Sequence, residues 1–159
     1  MANTYSQIYL HIVFAVKRRE NLIPRLHKEE LHKYISGLIQ RRNAKLLAIH
    51  CMPDHVHIFI GAPPTLAISD LVKEIKVESN EFINQKRWTN HKFGWQEGYG
   101  VFSYSRSSID SVVKYINNQE EHHRKHTFRD EYVQILKELE IEFEEKYLFD
   151  FFHKEITPH

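Results

Sequence analysis

Two histidines, His55 and His57, flank one valine inside the apolar run CMPDHVHIFI at positions 51–60. On a strand, alternate side chains point to opposite faces, so the two imidazoles share one side while Val56, Ile58 and Ile60 share the other. Such a pair offers two neutral nitrogens two residues apart, close enough to hold one cation together if a third ligand arrives from elsewhere. Further along the chain, Tyr115 and Gln119 stand four residues apart and are neighbours on one helical surface. If that surface lies over the histidine face, Gln119 could supply the third donor and Tyr115 would point its hydroxyl at whatever the cation binds. Two imidazoles and one amide oxygen leave coordination positions open, in which Mg²⁺ or Mn²⁺ would polarise a phosphodiester and stabilise a leaving alkoxide. A tyrosine hydroxyl, with a pKa of about 10, is a poor nucleophile without such help. In exchange it gives a covalent phosphotyrosine that conserves the energy of the broken bond. No GxxxxGK[ST] phosphate loop is present, and chemistry of this kind needs no ATP.

These residues must be positioned by the elements around them. Ile8, Leu10, Ile12, Phe14 and Val16 alternate with Tyr9 and His11, which predicts a first strand over 5–16. Pro24 can open a helix carrying Leu31, Tyr34, Ile35, Leu38 and Ile39 at helical spacing. A second strand at about 45–51 joins the His55 strand through the tight Met52-Pro53-Asp54 connection, as a hairpin. After Gly61 and Pro63-Pro64, Ser69 can cap a helix bearing Leu71, Val72, Ile75, Phe82 and Ile83. FGWQEGYGVFSYS, residues 93–105, holds three of the five glycines and predicts a fourth strand. A helix then opens at Ser107 or Ser108 and runs toward His126, with Ile109, Val112, Val113 and Ile116 as its buried stripe and Tyr115 and Gln119 on its flank. A last acidic helix is expected over 129–142. The order βαββαβ is the ferredoxin-like α+β arrangement, an antiparallel sheet with two helices on one face and the histidine face left open. One domain over 1–159 is expected, with a core at about 5–126 and an acidic C-terminal helical segment at about 127–150.

At 159 residues the chain can bury a sizeable core without disulfides, and its single cysteine, Cys51, excludes an intrachain one. Neither a signal peptide nor an apolar run of bilayer length is evident, so a soluble cytoplasmic protein without a membrane partner is expected. The net charge of +1 hides an uneven distribution. Residues 1–126 carry six more Lys and Arg than Asp and Glu, and residues 127–159 carry five more acidic than basic side chains. A basic body of this kind is compatible with nucleic acid and equally with an ordinary solvated surface.

The motifs PDHVHIFI, WQEGYGVFSYS and KYINNQEEHH, in that order and separation, resemble the single-tyrosine HUH transposases of the smallest bacterial insertion sequences, the TnpA-like family. The likeness covers roughly residues 5–149. It implies that His55 and His57 are the HUH metal ligands, Gln119 the third ligand and Tyr115 the nucleophile, with Mg²⁺ or Mn²⁺ as cofactor. It also implies a substrate of single-stranded DNA with hairpins at element ends, cut to a 5′-phosphotyrosine and a free 3′-OH that rejoins a different strand. A homodimer is implied as well, in which the tyrosine helix can complete the partner subunit's site, with Ser103 to Ser108 as the hinge. Lys17, Arg18, Arg19, Lys73, Lys76 and Arg106 are candidates for DNA-backbone contacts, and His122 could assist proton transfer. The alternatives are a domesticated repeat-processing relative, a hairpin-binding protein that does not cut, and a structural zinc site made by His55, His57, His122 and His126.

Overall fold

The computed structural model describes residues 3–151. In chain order they form β1 (Tyr9–Ala15), α1 (Lys28–Arg41), β2 (Lys45–Cys51), β3 (His55–Gly61), α2 (Ile68–Lys86) and β4 (Gly100–Tyr104). Three further helices follow: α3 (Ile109–Asn117), α4 (Gln119–His122) and α5 (Phe128–Glu138). The sheet order is β2-β3-β1-β4 and every neighbouring pair is antiparallel, which is the expected ferredoxin-like arrangement.

The alternating pattern of β1 and β3 sets the register. Ile12 lies opposite Ile58 and Phe14 opposite Val56, so the aliphatic side chains of both strands meet on one face. They share a core with Leu31, Ile35 and Ile39 of α1 and with Leu71, Ile75 and Ile83 of α2. Each of these fully buried side chains contributes about 1.5–3 kcal/mol. The β2–β3 turn is closed by the Met52 amide donating to the His55 carbonyl at 2.8 Å, so the histidines begin immediately after a fixed corner.

The opposite face, expected to be open, is covered. Phe59 packs there with Ala48 of β2 and with Val112 and Ile116 of α3. Phe128 and Tyr132 of α5 take the other end, Phe128 stacking on His55 at 3.8 Å and Tyr132 lying against Phe102. The physical reason is that α5 is itself amphipathic. Its stripe of Phe128, Tyr132, Ile135 and Leu136 is buried, and the histidine face is where it finds apolar cover. The acidic C-terminal stretch therefore contributes to the core as well as to the solvated surface.

Several boundaries differ from the sequence expectation for local reasons. The first strand starts at Tyr9 rather than Tyr5, whose ring is exposed. Pro24 precedes a three-residue 3-10 turn, Arg25–His27, and α1 begins only at Lys28. Ala67, not Ser69, is the N-cap of α2, and no side chain caps it. The helix expected to run through to His126 breaks at Asn118 (φ −100°, ψ 23°), where two adjacent asparagines favour local turns over helix. Thr127 caps α5 by accepting from the Asp130 amide, and α5 ends at Glu138, before Glu140 adopts a left-handed conformation.

Gly100 at the start of β4 permits the close approach of α5. A Cβ there would stand 2.6 Å from the Tyr132 hydroxyl and 2.8 Å from the Phe102 ring. Both rings are buried and cannot swing away freely. Gly100→Ala is expected to cost about 1–3 kcal/mol as overpacking, read as a lower midpoint in urea with an unchanged slope.

Candidate metal and tyrosine site

His55 and His57 are fixed by β3 and project from its covered face, both fully buried. His55 Nδ1 donates to the Asp54 carboxylate at 2.7 Å, and its Nε2 lies 3.3 Å from Gln119 Oε1. His57 Nδ1 meets His11 Nε2 of β1 at 2.7 Å, and its Nε2 lies 3.1 Å from Glu131 Oε1. Tyr115 of α3 and Gln119 of α4 therefore do come to the histidine pair, despite the break between their helices. They arrive on Glu131: the Tyr115 hydroxyl donates to Oε2, and Gln119 Nε2 donates to the same oxygen at 2.8 Å. His123 Nε2 contacts Glu131 Oε1 at 3.1 Å.

The centre of this arrangement is thus a carboxylate of the last, acidic helix, to which the sequence expectation assigns no role. A signal for it exists. Glu131 sits within the apolar stripe of α5, three residues after Phe128 and four before Ile135, where an unpartnered charge would be costly. His123, His11 and Asp54 were likewise not singled out, although Asp54 directly precedes the first histidine. The four-histidine alternative is not assembled. His123, rather than His122 with His126, joins His55, His57 and Glu131, whose donor atoms lie within 4.8 Å of one another, a spacing that can hold one metal ion. His122 stacks on His126 and stands beside the Tyr115 ring, its buried Nε2 without a hydrogen bond.

Electrostatics follow from the burial. Burial works against charge on His55, yet the adjacent Asp54 carboxylate, helped by Glu131, carries its pKa up to about 10. Burial holds His57 below its ordinary value, and His11 well below. Glu131 is drawn well below the usual carboxylate range despite its burial, because His57, His123 and His55 face it. With Glu131 ionised, neutral His57 must donate through Nε2 and accept at Nδ1 from His11, which leaves His11 Nδ1 as a bare acceptor. That atom is buried without a partner. Burial, and secondarily Glu131, raises the pKa of the Tyr115 hydroxyl.

Glu120, next to Gln119, clamps α4 to the base of α1. Its carboxylate lies 3.2 Å from Arg25 Nε, 3.6 Å from Lys28 Nζ and 3.5 Å from His50 Nε2. Burial, then Lys28, lowers His50 to about 4. A histidine depressed in the fold takes up protons in the unfolded chain first, so stability falls as pH drops from about 6.5 toward about 4. His11, His32, His57 and His122 act in the same direction. His55 acts oppositely: its contribution is whole below 6.5 and is lost as pH rises through about 10. The melting temperature is expected to peak near neutrality and to fall across pH 6.5–4, by roughly 2–4 °C for each kcal/mol lost. A melting temperature that climbs on acidification through that window contradicts these assignments.

The six cationic candidates are not alike. Lys17, Arg18 and Arg19 are exposed just after β1, with Arg18 paired to Glu20 at 2.8 Å. Lys73 lies on the exposed side of α2 beside Asp70 and Glu74, and Arg106 is exposed in the turn before α3. Lys76 differs: its ammonium donates to the Gln96 and Gly98 carbonyls at 2.8 and 2.6 Å and lies over the Phe14 ring, and burial lowers its pKa to about 8. A cleft of about 410 Å³ reaches Tyr115 from outside, lined by Lys114, Lys125, His122 and His126 among others.

Fold and site together define an α+β protein with a buried histidine–carboxylate cluster, suited to a divalent ion, set against a tyrosine hydroxyl. Residues 4–119 match the family described as "Transposase IS200 like", and the chain belongs to that family. Among curated relatives, the ISDra2 transposase TnpA of Deinococcus radiodurans is 25% identical over 120 residues, covering 71% of this chain and 84% of that protein. The transposase for insertion sequence element IS200 of Salmonella typhimurium is 24% identical over 125 residues, covering 75% and 81%. Among solved structures, a putative transposase from Deinococcus radiodurans superposes with a TM-score of 0.56 at 25% identity, over 75% of this chain and 95% of that one. A REP-associated tyrosine transposase bound to a REP hairpin shares the fold, with a TM-score of 0.57 at 16% identity over 77% and 73%. No helix among the described residues is long and apolar enough to cross a membrane.

Proposed function

We propose that the protein is a transposase that cuts and rejoins single-stranded DNA beside hairpins, with Tyr115 as nucleophile and His55, His57 and Gln119 as ligands of a divalent ion, Mg²⁺ or Mn²⁺. The observation that carries this reading is the convergence of Tyr115 and Gln119 on the buried His55–His57 pair. The relatives' names point to transposition, and one structural neighbour holds a hairpin.

In the reaction the Tyr115 oxygen forms a bond to phosphorus while the bond from phosphorus to the 3′-oxygen breaks. The phenolic proton leaves, and the departing 3′-oxygen gains one. The products are a 5′-phosphotyrosine and a free 3′-OH, which can reverse the step on a different strand. A bound ion supplies Lewis-acid stabilisation of the charge developing on the phosphate oxygens. The raised pKa of Tyr115 means that its proton departs during attack rather than beforehand. His122, its ring beside that of Tyr115 and its Nε2 without a hydrogen bond but 3.5 Å from Glu131 Oε2, is the candidate to receive it. Lys114 and Lys125 in the cleft, with Lys17, Arg18, Arg19, Lys73 and Arg106 farther out, would neutralise backbone phosphates. The ammonium of Lys76 is already committed to the two carbonyls, so its share in DNA binding would require those bonds to break.

A homodimer belongs to this reading. Tyr115 and Gln119 meet the histidines of the same chain, so completion in trans would require α3 and α4 to swing about the Ser103–Ser108 segment and the Glu120 clamp to open. The test is to incubate the protein with Mg²⁺ or Mn²⁺ and hairpin-bearing single strands from the flanks of its own gene. A covalent protein–DNA adduct on Tyr115 with a free 3′-OH fragment is expected. Hairpin binding without an adduct under either ion would instead make it a non-cleaving hairpin-binding protein.

A further inference from the structure

The geometry points to a metal centre that takes two ligands, His123 and Glu131, from the segment after residue 119, completing a three-imidazole, one-carboxylate set that selects a first-row transition ion over Mg²⁺. This rests on the reading that the site binds a divalent ion, and it changes both the ligand set and the ion.

The three imidazoles are held alike. His55 Nδ1 is engaged by Asp54 at 2.7 Å, His57 Nδ1 by His11 Nε2 at 2.7 Å, and His123 Nδ1 by the His126 carbonyl at 2.8 Å. Each ring thus spends Nδ1 on an outer partner and turns Nε2 inward. Metal-ligating histidines are oriented in this way by an outer bond in which the other ring N–H donates. Nδ1 of His55 and of His123 already donates so, and His57 would do so once its bond with His11 reverses, His57 Nδ1–H donating to His11 Nε2. The three Nε2 atoms converge on one oxygen, Glu131 Oε1, at 3.1 Å from His57, 3.1 Å from His123 and 3.5 Å from His55. Gln119 Nε2 and the Tyr115 hydroxyl hold the other oxygen, Oε2, so the carboxylate is oriented too. Gln119 reaches the cluster from both ends of its amide, with Oε1 toward His55.

The ligand types decide the ion. Mg²⁺ prefers oxygen donors in strict octahedral geometry and keeps several waters, whereas imidazole suits Zn²⁺ and other transition ions. Three imidazoles with one carboxylate are a poor match for the former and a good one for the latter. Both added ligands lie outside the stretch 4–119 that carries the family match. The C-terminal segment of this chain therefore modifies the centre rather than merely covering it.

The test uses the full-length protein without DNA. Binding of Zn²⁺, Mn²⁺ and Mg²⁺, each alone, is followed by calorimetry, and the nitrogens coupled to bound Mn²⁺ are counted by pulsed EPR. Mn²⁺ is expected to bind at least about tenfold tighter than Mg²⁺, with Zn²⁺ tighter again. Three coupled imidazoles are expected in the wild type and two in His123→Gln. Both His123→Gln and Glu131→Asp should weaken binding by about 10–100-fold. Glu131→Asp keeps the charge and draws the oxygen back, and circular dichroism checks that each variant is folded. Unchanged affinity in both variants, only two imidazoles in the wild type, or preference for Mg²⁺ overturns the inference. None of those results touches the adduct assay, so DNA cleavage by Tyr115 stands or falls separately.

Discussion

Tyr115→Phe is expected to abolish the covalent protein–DNA adduct and to lower strand cleavage by a factor on the order of 10⁶ or to assay background, the scale seen when an enzyme loses its nucleophile. The substitution is mild for the fold. The phenyl ring keeps its contacts with the rings of His57 and His11, and the hydroxyl's bond to Glu131 Oε2 and its interaction with Gln119 are lost. Glu131 retains Gln119, His57 and His123, so the stability cost should stay within the about 1.5–3 kcal/mol of one hydrogen bond to a charged group. Adduct formation is read on a denaturing gel with end-labelled hairpin DNA, and stability by thermal melting of the same preparation. An adduct of wild-type yield from a folded Tyr115→Phe protein would remove Tyr115 from the reaction and leave the metal cluster unexplained by it.

The second large effect is expected at His57, where one change should damage both chemistry and fold. His57→Ala removes a fully buried ring, leaves His11 Nε2 without its partner beside an Nδ1 that already has none, and takes a donor from the buried Glu131 carboxylate. An orphaned buried polar group costs about 1–3 kcal/mol, and the cavity adds to it. A loss of about 2–4 kcal/mol, seen as a drop of roughly 5–15 °C in melting temperature, is expected for a chain of this size. Cleavage should disappear under either Mg²⁺ or Mn²⁺. His57→Gln, which keeps a polar group in the space, separates the two effects: it should recover part of the stability and none of the cleavage. Wild-type cleavage by either variant would exclude His57 as a ligand.

The fold was legible because it rests on period-two and helical patterns that are local. Leu10, Ile12 and Phe14 alternate with Tyr9 and His11, and Val56, Ile58 and Ile60 with His55 and His57, so each strand declares its two faces without reference to the other. Tyr115 and Gln119 were legible for a similar reason, since four-residue spacing holds them together even across the break at Asn118. What failed locally was capping and continuity: Ser69, Pro24 and the long helix after Ser108 follow weak preferences of under a few kcal/mol, which tertiary packing readily overrides.

The two faces of each strand, the hairpin of β2 and β3 and the tyrosine–glutamine flank were thus determined by residue order alone. The remainder of the site was decided only when the chain folded back on itself. Glu131 is one of several acids in its stretch of sequence, and nothing local distinguishes it except its place in the stripe of α5. It acquires a role because Phe128 and Tyr132 seek apolar cover on the histidine face and carry the carboxylate into the space between the three Nε2 atoms. His11, on a strand 46 residues before its partner, is set against His57 by sheet register. A buried charge is tolerable only where opposite or hydrogen-bonding groups surround it, and that surrounding is a property of three-dimensional packing.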